Sequence, residues 1–353
     1  MRTKNYLILS FILAVVVVLS SSCSSTSGIS MEVLIPAQIN LPKHIKKVAV
    51  INRSLPAKGE WVSNVLEGFI SGESIKADKD ASNNCVQSLV NQLNSSPLLT
   101  AVLVTGTKLK GTGTREWPVA FAWTTVDSIC KATGSDALIA LETFDSDIKF
   151  NTGKNQVKTK INDKDTTVIE FFTDLKVNVN AGWRIYDNLN KTEVDQNSFM
   201  DEKGWSTKGN TPDEAMKKLP AKRDAINGAG LYAGAQYGVR ISPTWVNVHR
   251  SYFTKGKKQD GFKQAKKFVK IQKWDDAKNI WTNITKTENS KNVGRAYYNL
   301  AVASEVDGDL ETAYANAKKA FEVYGNKPAR MYMNILNVRI NDQVKLKEQM
   351  GNE

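Results

Sequence analysis

Lys47-Val48-Ala49-Val50-Ile51-Asn52 is a short apolar run closed by a polar residue. That is the pattern of a strand buried on both faces of a sheet. Downstream of it, Asn83–Asn94 sets Cys85, Val86, Leu89, Val90 and Leu93 at helical spacing, and Ser95-Ser96-Pro97 stops the helix. Leu99–Val104 predicts a second strand. A helix starting near Thr124 ends at Gly134, a residue suited to the left-handed position after a helix. Ala137–Leu141 predicts a third strand. Strands that alternate with helices imply a parallel sheet covered on its faces.

The pattern then changes. Thr166–Arg184 and Ile185–Phe199 alternate through Leu175, Val177, Val179, Trp183 and Ile185, with a turn at Asp187-Asn188-Leu189-Asn190. This predicts an antiparallel hairpin and therefore a mixed sheet. A helix around 212–238 closes the region. Upstream, Ile35–Pro42 is an extended lead-in, and Trp61, Val62, Val65, Leu66, Phe69 and Ile70 fall at helical spacing within a polar stretch. Residues 31–250 thus read as a three-layer α/β (α+β) domain with a mixed sheet.

Residues 258–349 read as all helix. Ala265 and Ala277 are 12 residues apart, and so are Ala301 and Ala313. Small residues at that spacing match the two positions of a tetratricopeptide repeat where paired helices approach most closely. The first unit adds Trp281. The second adds Tyr297, Leu300, Ala320 and a Gly308-Asp309 turn. The period is 36, and Gln264, Ile284 and Ala317 depart from the repeat pattern. The expectation is an all-α, tetratricopeptide-like helical hairpin domain, with residues 328–349 as a third capping pair or a solvating helix. So few repeats need further packing, since each buries its face on a neighbour.

At the N-terminus, Arg2 and Lys4 precede an apolar run from Tyr6 to Leu19 broken by Ser10. The run has the length of a signal-peptide core and is too short to span a bilayer, which takes roughly 20 residues. Ser20-Ser21-Ser22-Cys23 follows, then Ser24–Gly28. Small residues before a cysteine resemble the lipobox of bacterial lipoproteins. The likeness departs at Ser20, where that box carries Leu. It implies cleavage after residue 22, lipidation of Cys23, and a flexible Ser/Thr/Gly tether over 23–30. Ser24 is not the Asp that retains lipoproteins at the inner membrane, so the resemblance implies an outer-membrane anchor facing the periplasm.

Hydrophobic residues are 41% and charged residues 24% of the 353, as in an ordinary folded chain. The net charge of +12 raises the question of nucleic acid. The lysines read as spread along the chain and no nucleic-acid motif accompanies them, so nucleic acid is not expected. A basic surface beside anionic headgroups or acidic wall polymers accounts for the charge. Beyond Cys23, Cys85 and Cys130 sit among apolar neighbours and are expected as buried free thiols.

Catalytic signatures are scarce. His44 and His249 are the two histidines, and neither has a Cys or carboxylate at ligand spacing, so no metal or cofactor is expected. No G-x-S-x-G appears. Gly228-Ala229-Gly230-Leu231-Tyr232-Ala233-Gly234 has the wrong spacing for a nucleotide loop and lies in a helix; Gly230, Gly234 and Gly238 instead form a smooth stripe expected to pack on the sheet. Gly111-Thr112-Gly113-Thr114 reads as a turn, and the stretch from Gly68 to Glu73 as a candidate functional loop. Most of the eight tryptophans are expected in the core.

The Lys47–Asn52 strand, the Gly134–Ile139 strand entry and the Leu175–Tyr186 strands resemble the curli-secretion lipoprotein, the lipoprotein activators of penicillin-binding proteins and the amino-terminal domain of TolB. Pro36-Ala37, Trp183-Arg184-Ile185-Tyr186-Asp187 and Arg240-Ile241-Ser242-Pro243-Thr244-Trp245 further resemble a family of Gram-negative envelope lipoproteins in which such a domain precedes tetratricopeptide-like repeats. That family carries no assigned activity.

The expectation is a membrane-anchored, non-enzymatic scaffold or regulator that binds another envelope protein. Two alternatives stay open: a self-associating component of a secretion or assembly machine, and a glycan-binding protein.

Overall fold

The computed structural model describes residues 25–55, 72–106, 109–113, 115–161 and 163–351. The expected leader, Cys23 and the Trp61–Ile70 helix lie outside them. The chain is mixed α/β, sheet-rich toward its N-terminus and helical toward its C-terminus. Its strands are β1 (Thr26–Ile35), β2 (Lys47–Asn52), β3 (Thr100–Val104), β4 (Ala137–Ile161), β5 (Lys164–Asp187), β6 (Thr192–Gly209) and β7 (Thr244–Phe253). The described helices are α1 (Gly72–Asn94), α2 (Trp123–Thr133), α3 (Pro212–Lys217), α4 (Lys222–Ile241), α5 (Gly261–Lys270), α6 (Trp274–Ile284), α7 (Ser290–Val306), α8 (Leu310–Glu322) and α9 (Lys327–Met350). Two compact units divide the chain. One holds Leu34–Trp245 and the residues from Leu346 on; the other holds the residues up to Val33 with Val246–Lys345.

The α/β unit is built on a five-stranded sheet of order β3-β2-β4-β5-β6. β2 is parallel to both β3 and β4, while β4, β5 and β6 run antiparallel. The Lys47–Asn52 run is β2, an interior strand between β3 and β4. Val48 and Val50 face the core beneath α1 and α4, and Ala49 and Ile51 face the core beneath α2. All four are at most 1% exposed, which is why the run has no polar alternation. Asp136 sets the register of its start: its carboxylate accepts from the amides of Lys46 and Lys47 at 2.9 Å each. Gly134 (φ 62) ends α2, and its freedom at positive φ turns the chain into β4.

Trp183 of β5 is fully buried and stacks on Tyr237 of α4, with ring centroids 4.6 Å apart and planes 4° from parallel. Each such ring contributes about 2–3 kcal/mol by burial. The glycine stripe faces α1 rather than the sheet. A Cβ on Gly230 would stand 2.4 Å from the Ala81 carbonyl oxygen, and one on Gly234 would stand 1.9 Å from that of Cys85. Absent side chains let two helix backbones touch, an arrangement that sequence spacing could not assign to a particular neighbour.

Other expectations are corrected in detail. The third strand runs for 25 residues, not five. Beyond Gly153 and before Phe171, β4 and β5 pair only with each other, so residues 154–170 form a ribbon projecting past the sheet. The expected helix over 212–238 is two helices, because Pro220 cannot continue the first.

The second unit contains a two-stranded sheet of β1 and β7 and the helices from α5 onward. Ser25 lies beside Thr254 and Ser30 beside His249, so the two strands run antiparallel. Residues 26–30 are therefore strand, not tether: their partner lies far along the chain, where composition gives no sign of it. For the same reason residues 31–33 and 246–250, in β1 and β7, fall in this unit and not with the α/β domain as expected. α5 packs on α6 and α7 on α8, and the C-terminal expectation resolves to the single helix α9.

Candidate functional site

Most of the buried polar side chains of the helical unit lie on α7. Asn292, Arg295 and Asn299 occupy one face of α7. Asn299 holds Phe253 through both backbone groups, and Asn292 does the same to Lys257, with Oδ1 accepting the amide at 3.0 Å and Nδ2 donating to the carbonyl at 2.9 Å. Arg295 donates to the Lys255 carbonyl at 2.7 Å between them. The helix face thus supplies backbone partners to 253–257 as a neighbouring strand would.

Glu305, at the end of α7, is wholly buried. Arg250 grips it with two hydrogen bonds of 2.8 and 2.9 Å, the Tyr332 hydroxyl donates at 2.6 Å, and Arg339 donates at 2.6 Å. Burial raises its pKa, but Arg250, the Tyr332 hydroxyl and Arg339 outweigh that and hold the carboxyl below its usual range.

The eight residues read as repeat-packing positions fall in one apolar cluster. Ala265, Ala277, Ala301, Ala313 and Ala320 are fully buried with Trp281, while Tyr297 and Leu300 are partly buried against them. On α9, Ala329, Tyr332 and Leu336 face that cluster. The opposite side carries Met331, Ile335 and Val338, which are 73%, 40% and 59% exposed. Their i, i+4, i+7 spacing makes a continuous apolar row, headed by exposed Lys327 with exposed Arg330 beside it. Sequence periodicity alone cannot find this row, because α9 is apolar on two sides and only burial tells them apart.

The α/β unit has a second buried carboxylate. Glu142 sits at the irregularity in β4 between Leu141 and Thr143. It meets Arg53 at 3.0 Å and Arg184 at 3.3 Å, and accepts from the Tyr186 hydroxyl at 2.8 Å. That hydroxyl accepts in turn from the Phe121 amide. Burial pushes the Glu142 carboxyl up, and the two guanidiniums and the phenol pull against it without reversing the shift. Nearby, a cavity of about 450 Å3 opens at the carboxyl ends of β2 and β3, lined by Asn52, Asn83, Asn84, Gln87, Thr105 and Lys110 among others. Ligands of open α/β sheets gather at that edge. Here Asn52 is already satisfied: it donates to Ser82 and Asn83 and accepts from Ser54.

His44 is tied down, its Nε2 lying 2.9 Å from buried Asp187, which also accepts from Leu189 and Asn190 in the β5–β6 turn. His249 packs on Gly28, where a Cβ would stand 2.2 Å from its Nε2. Cys85 and Cys130 are buried free thiols, and burial pushes the Cys130 thiol up to about 11. Among the described residues, no group of three or more His, Cys, Asp or Glu is placed to hold a metal ion. No described helix is long and apolar enough to cross a membrane. Cys23 and residues 68–71 of the candidate loop lie outside the described residues; Gly72 and Glu73 open α1. Trp183 and Trp281 are fully buried, whereas Trp245 is 53% exposed.

A domain of unknown function, DUF8603, matches residues 45–253, more than half of the chain. The chain belongs to the DUF8603 family. A second domain of unknown function, DUF6340, matches residues 263–339. No curated protein matches this DUF8603 chain. Among solved structures it is similar to the PelC dodecamer from Paraburkholderia phytofirmans, at 10% identity and TM-score 0.23, over 61% of this chain and 99% of that one. It is similar to TolB from Acinetobacter baumannii, at 12% identity and TM-score 0.18, over 60% of this chain and 31% of that one. A putative neuraminyllactose-binding hemagglutinin homolog from Helicobacter pylori matches at 12% identity and TM-score 0.24, over 58% of this chain and 87% of that one.

Proposed function

We propose that this chain is a lipid-anchored, non-enzymatic scaffold of the outer membrane that holds another envelope protein against the exposed face of α9. The row of Met331, Ile335 and Val338 carries this reading. Three large apolar side chains aligned on one helix face form the seat that a partner helix fills by ridges-into-grooves packing. Lys327 and Arg330 beside the row favour a partner helix with acidic flanks. The preceding helix pairs α5/α6 and α7/α8, with Ala265, Ala277, Ala301 and Ala313 fully buried in their shared cluster, support a tetratricopeptide-like arrangement that α9 leaves open for one more helix. Glu142 and Glu305 are each enclosed by two arginines and a tyrosine, an arrangement suited to fixing a fold. The anchor itself rests on Ser20-Ser21-Ser22-Cys23.

The test is a photocrosslinking residue at Met331 in intact cells, with and without Ile335→Asp. One dominant adduct with a different envelope protein, lost in Ile335→Asp, supports the scaffold. Adducts of the chain with itself alone overturn it in favour of the assembly alternative, for which the projecting ribbon of residues 154–170 is the supporting observation.

A further inference from the structure

The helical unit contains a concentrated positive charge. Between Lys255 and Lys273 stand eight lysines and one aspartate, a net +7 within a chain whose net charge is +12. The first three lysines lie in the loop after β7, four lie on α5, and the last lies in the turn before α6. α5 is two-sided: Phe262, Ala265 and Val269 are buried in the apolar cluster, while Lys263, Lys267 and Lys270 face solvent. Asp260 pairs with Lys263 at 3.4 Å. Among the described residues, no carboxylate lies within ion-pair distance of Lys257, Lys258, Lys266, Lys267, Lys270 or Lys273. Like charges collected on one face without counter-charges repel one another, and an anionic surface relieves that repulsion.

Two further observations say which surface. At the end of α5, Ile271 is 62% exposed among these lysines, and the next residue, Gln272, takes a left-handed φ of 62°. Lys258, at the other end of the segment, has φ 51°. A non-glycine residue in this region is strained, and the two strained residues hold Lys257-Lys258 and Ile271–Lys273 outward. The second observation is position. The Thr254 amide donates to the Ser25 carbonyl at 2.8 Å, so the chain enters the fold beside the start of the lysine-rich loop. Cys23 precedes Ser25 by two residues, a reach of about 7 Å at most.

We propose that the face from Lys255 to Lys273 lies on the membrane and binds anionic phospholipid headgroups, with Ile271 seated at the boundary between headgroups and acyl chains. The proposal rests on the lipid-anchor reading of Cys23, and it adds a second point of attachment that sets orientation. Lysines are compact point charges suited to phosphate, and juxtamembrane clusters of four to eight basic residues are the pattern that anionic leaflets attract. An apolar tip among them suits a bilayer interface better than a soluble polymer. With α5 flat on the surface, the two ends of the segment and the anchor touch the membrane together.

The test uses the full chain with Ile271→Cys labelled by an environment-sensitive nitrobenzoxadiazole; Cys85 and Cys130 are buried and escape labelling in the folded protein, and the native chain taken through the same labelling gives any signal from an unlipidated Cys23, which is subtracted. The chain is reconstituted in vesicles of phosphatidylcholine alone and in vesicles with a third phosphatidylglycerol. The expected result is emission that at least doubles and shifts to the blue with phosphatidylglycerol only. It falls back at about 0.5 M salt, where the Debye length is only a few ångströms. Changing Lys257, Lys258, Lys267 and Lys270 together to Gln abolishes the response, and changing them to Arg restores it, at an unchanged melting temperature. Equal emission in both vesicle types overturns the proposal, as does a full response in the Gln variant. An equal response to soluble heparin on phosphatidylcholine vesicles reassigns the face to acidic polymers and overturns the lipid assignment. The mass of the Cys23 peptide is read from the same sample. Unmodified Cys23 with the response retained removes the anchor and leaves the face; lipidated Cys23 without a response does the reverse.

Discussion

Asn299 grips Phe253 as a strand would: its Nδ2 donates to the Phe253 carbonyl and its Oδ1 accepts the Phe253 amide, both at 2.7 Å and both buried. An apolar side chain there leaves two buried backbone groups without partners. Asn299→Leu is therefore expected to lower stability by about 2–4 kcal/mol in urea unfolding. Asn299→Asp is expected to do at least as much harm, because a carboxylate cannot donate to the carbonyl. A Leu variant within about 0.5 kcal/mol of the native chain would show that the clamp contributes nothing net.

The contact of α4 with α1 predicts opposite outcomes at two glycines of one helix. Gly234→Ala places a methyl 1.9 Å from the Cys85 carbonyl oxygen and forces the helices apart; a loss of about 2–3 kcal/mol is expected. At Gly228 the nearest atom to a new Cβ is Trp205 Cζ2 at 3.4 Å. Gly228→Ala is expected to be neutral or to stabilise by up to about 1 kcal/mol through helix propensity. Thermal unfolding of the two variants side by side decides; equal effects would sink the close-contact argument.

Glu305 and Glu142 are expected to differ with pH. Glu305 has a folded pKa below its unfolded value, so its contribution is present above the ordinary glutamate range and is lost as pH falls through the lowered value. Glu142 is shifted upward, so folding gains, relative to neutral pH, as it protonates. At pH 7, Glu305→Gln is expected to cost about 3–5 kcal/mol, since it strands Arg250 and Arg339, and Glu142→Gln is expected to cost less. Urea midpoints for both variants at pH 7 and pH 5 give the comparison, and a larger loss for Glu142→Gln at pH 7 would contradict it.

Asp78 gives a cleaner titration. Burial raises its carboxyl to about 6, assisted by Asp145 and Asp147 and opposed by the Ser146 hydrogen bond. A raised acid stabilises the fold when protonated, so stability should rise as pH drops through about 6. Asp78→Asn is expected to stabilise by roughly 1–2 kcal/mol at pH 8 and to have little effect at pH 5. A pH-independent difference would show that the shift is not the cause.

What the sequence discloses follows the range of the interactions. β2, the Gly134 cap and the β5–β6 turn were readable because each depends on neighbours within a few residues: two-sided apolarity, a left-handed terminus, an Asp-Asn turn. The alanine spacing of α5–α8 was readable as pattern. Long-range partnerships were not. Ser and Thr at 25–27 look like a linker until the strand ending at Phe253 and the following Thr254 pair with them, and the glycine stripe does not name Ala81 and Cys85 as its contacts. The lysines from 255 to 273 were present to be counted, but a reading that treated the basic residues as evenly spread passes over them; what matters is that one helix face and two flanking turns present them together. Glu142 and Glu305 looked like ordinary charges, since no local signal marks the arginines that enclose them.

The pairing of β1 with β7 also orders events in time. A chain threaded through a membrane from its first residue brings out β1 before anything else and β7 only after all of β2 through α4. Most of the α/β unit, Leu34–Trp245, can therefore form while β1 still waits with its backbone groups exposed, and its last residues, from Leu346, arrive only with the end of α9. The helical unit closes last, once Phe253 and the Asn299 that holds it have both emerged. On the lipid-anchor reading, a factor that protects the chain during export has most to do in that interval, and a stall between Trp245 and Val306 should leave the Leu34–Trp245 segment folded and attached to an unpaired strand.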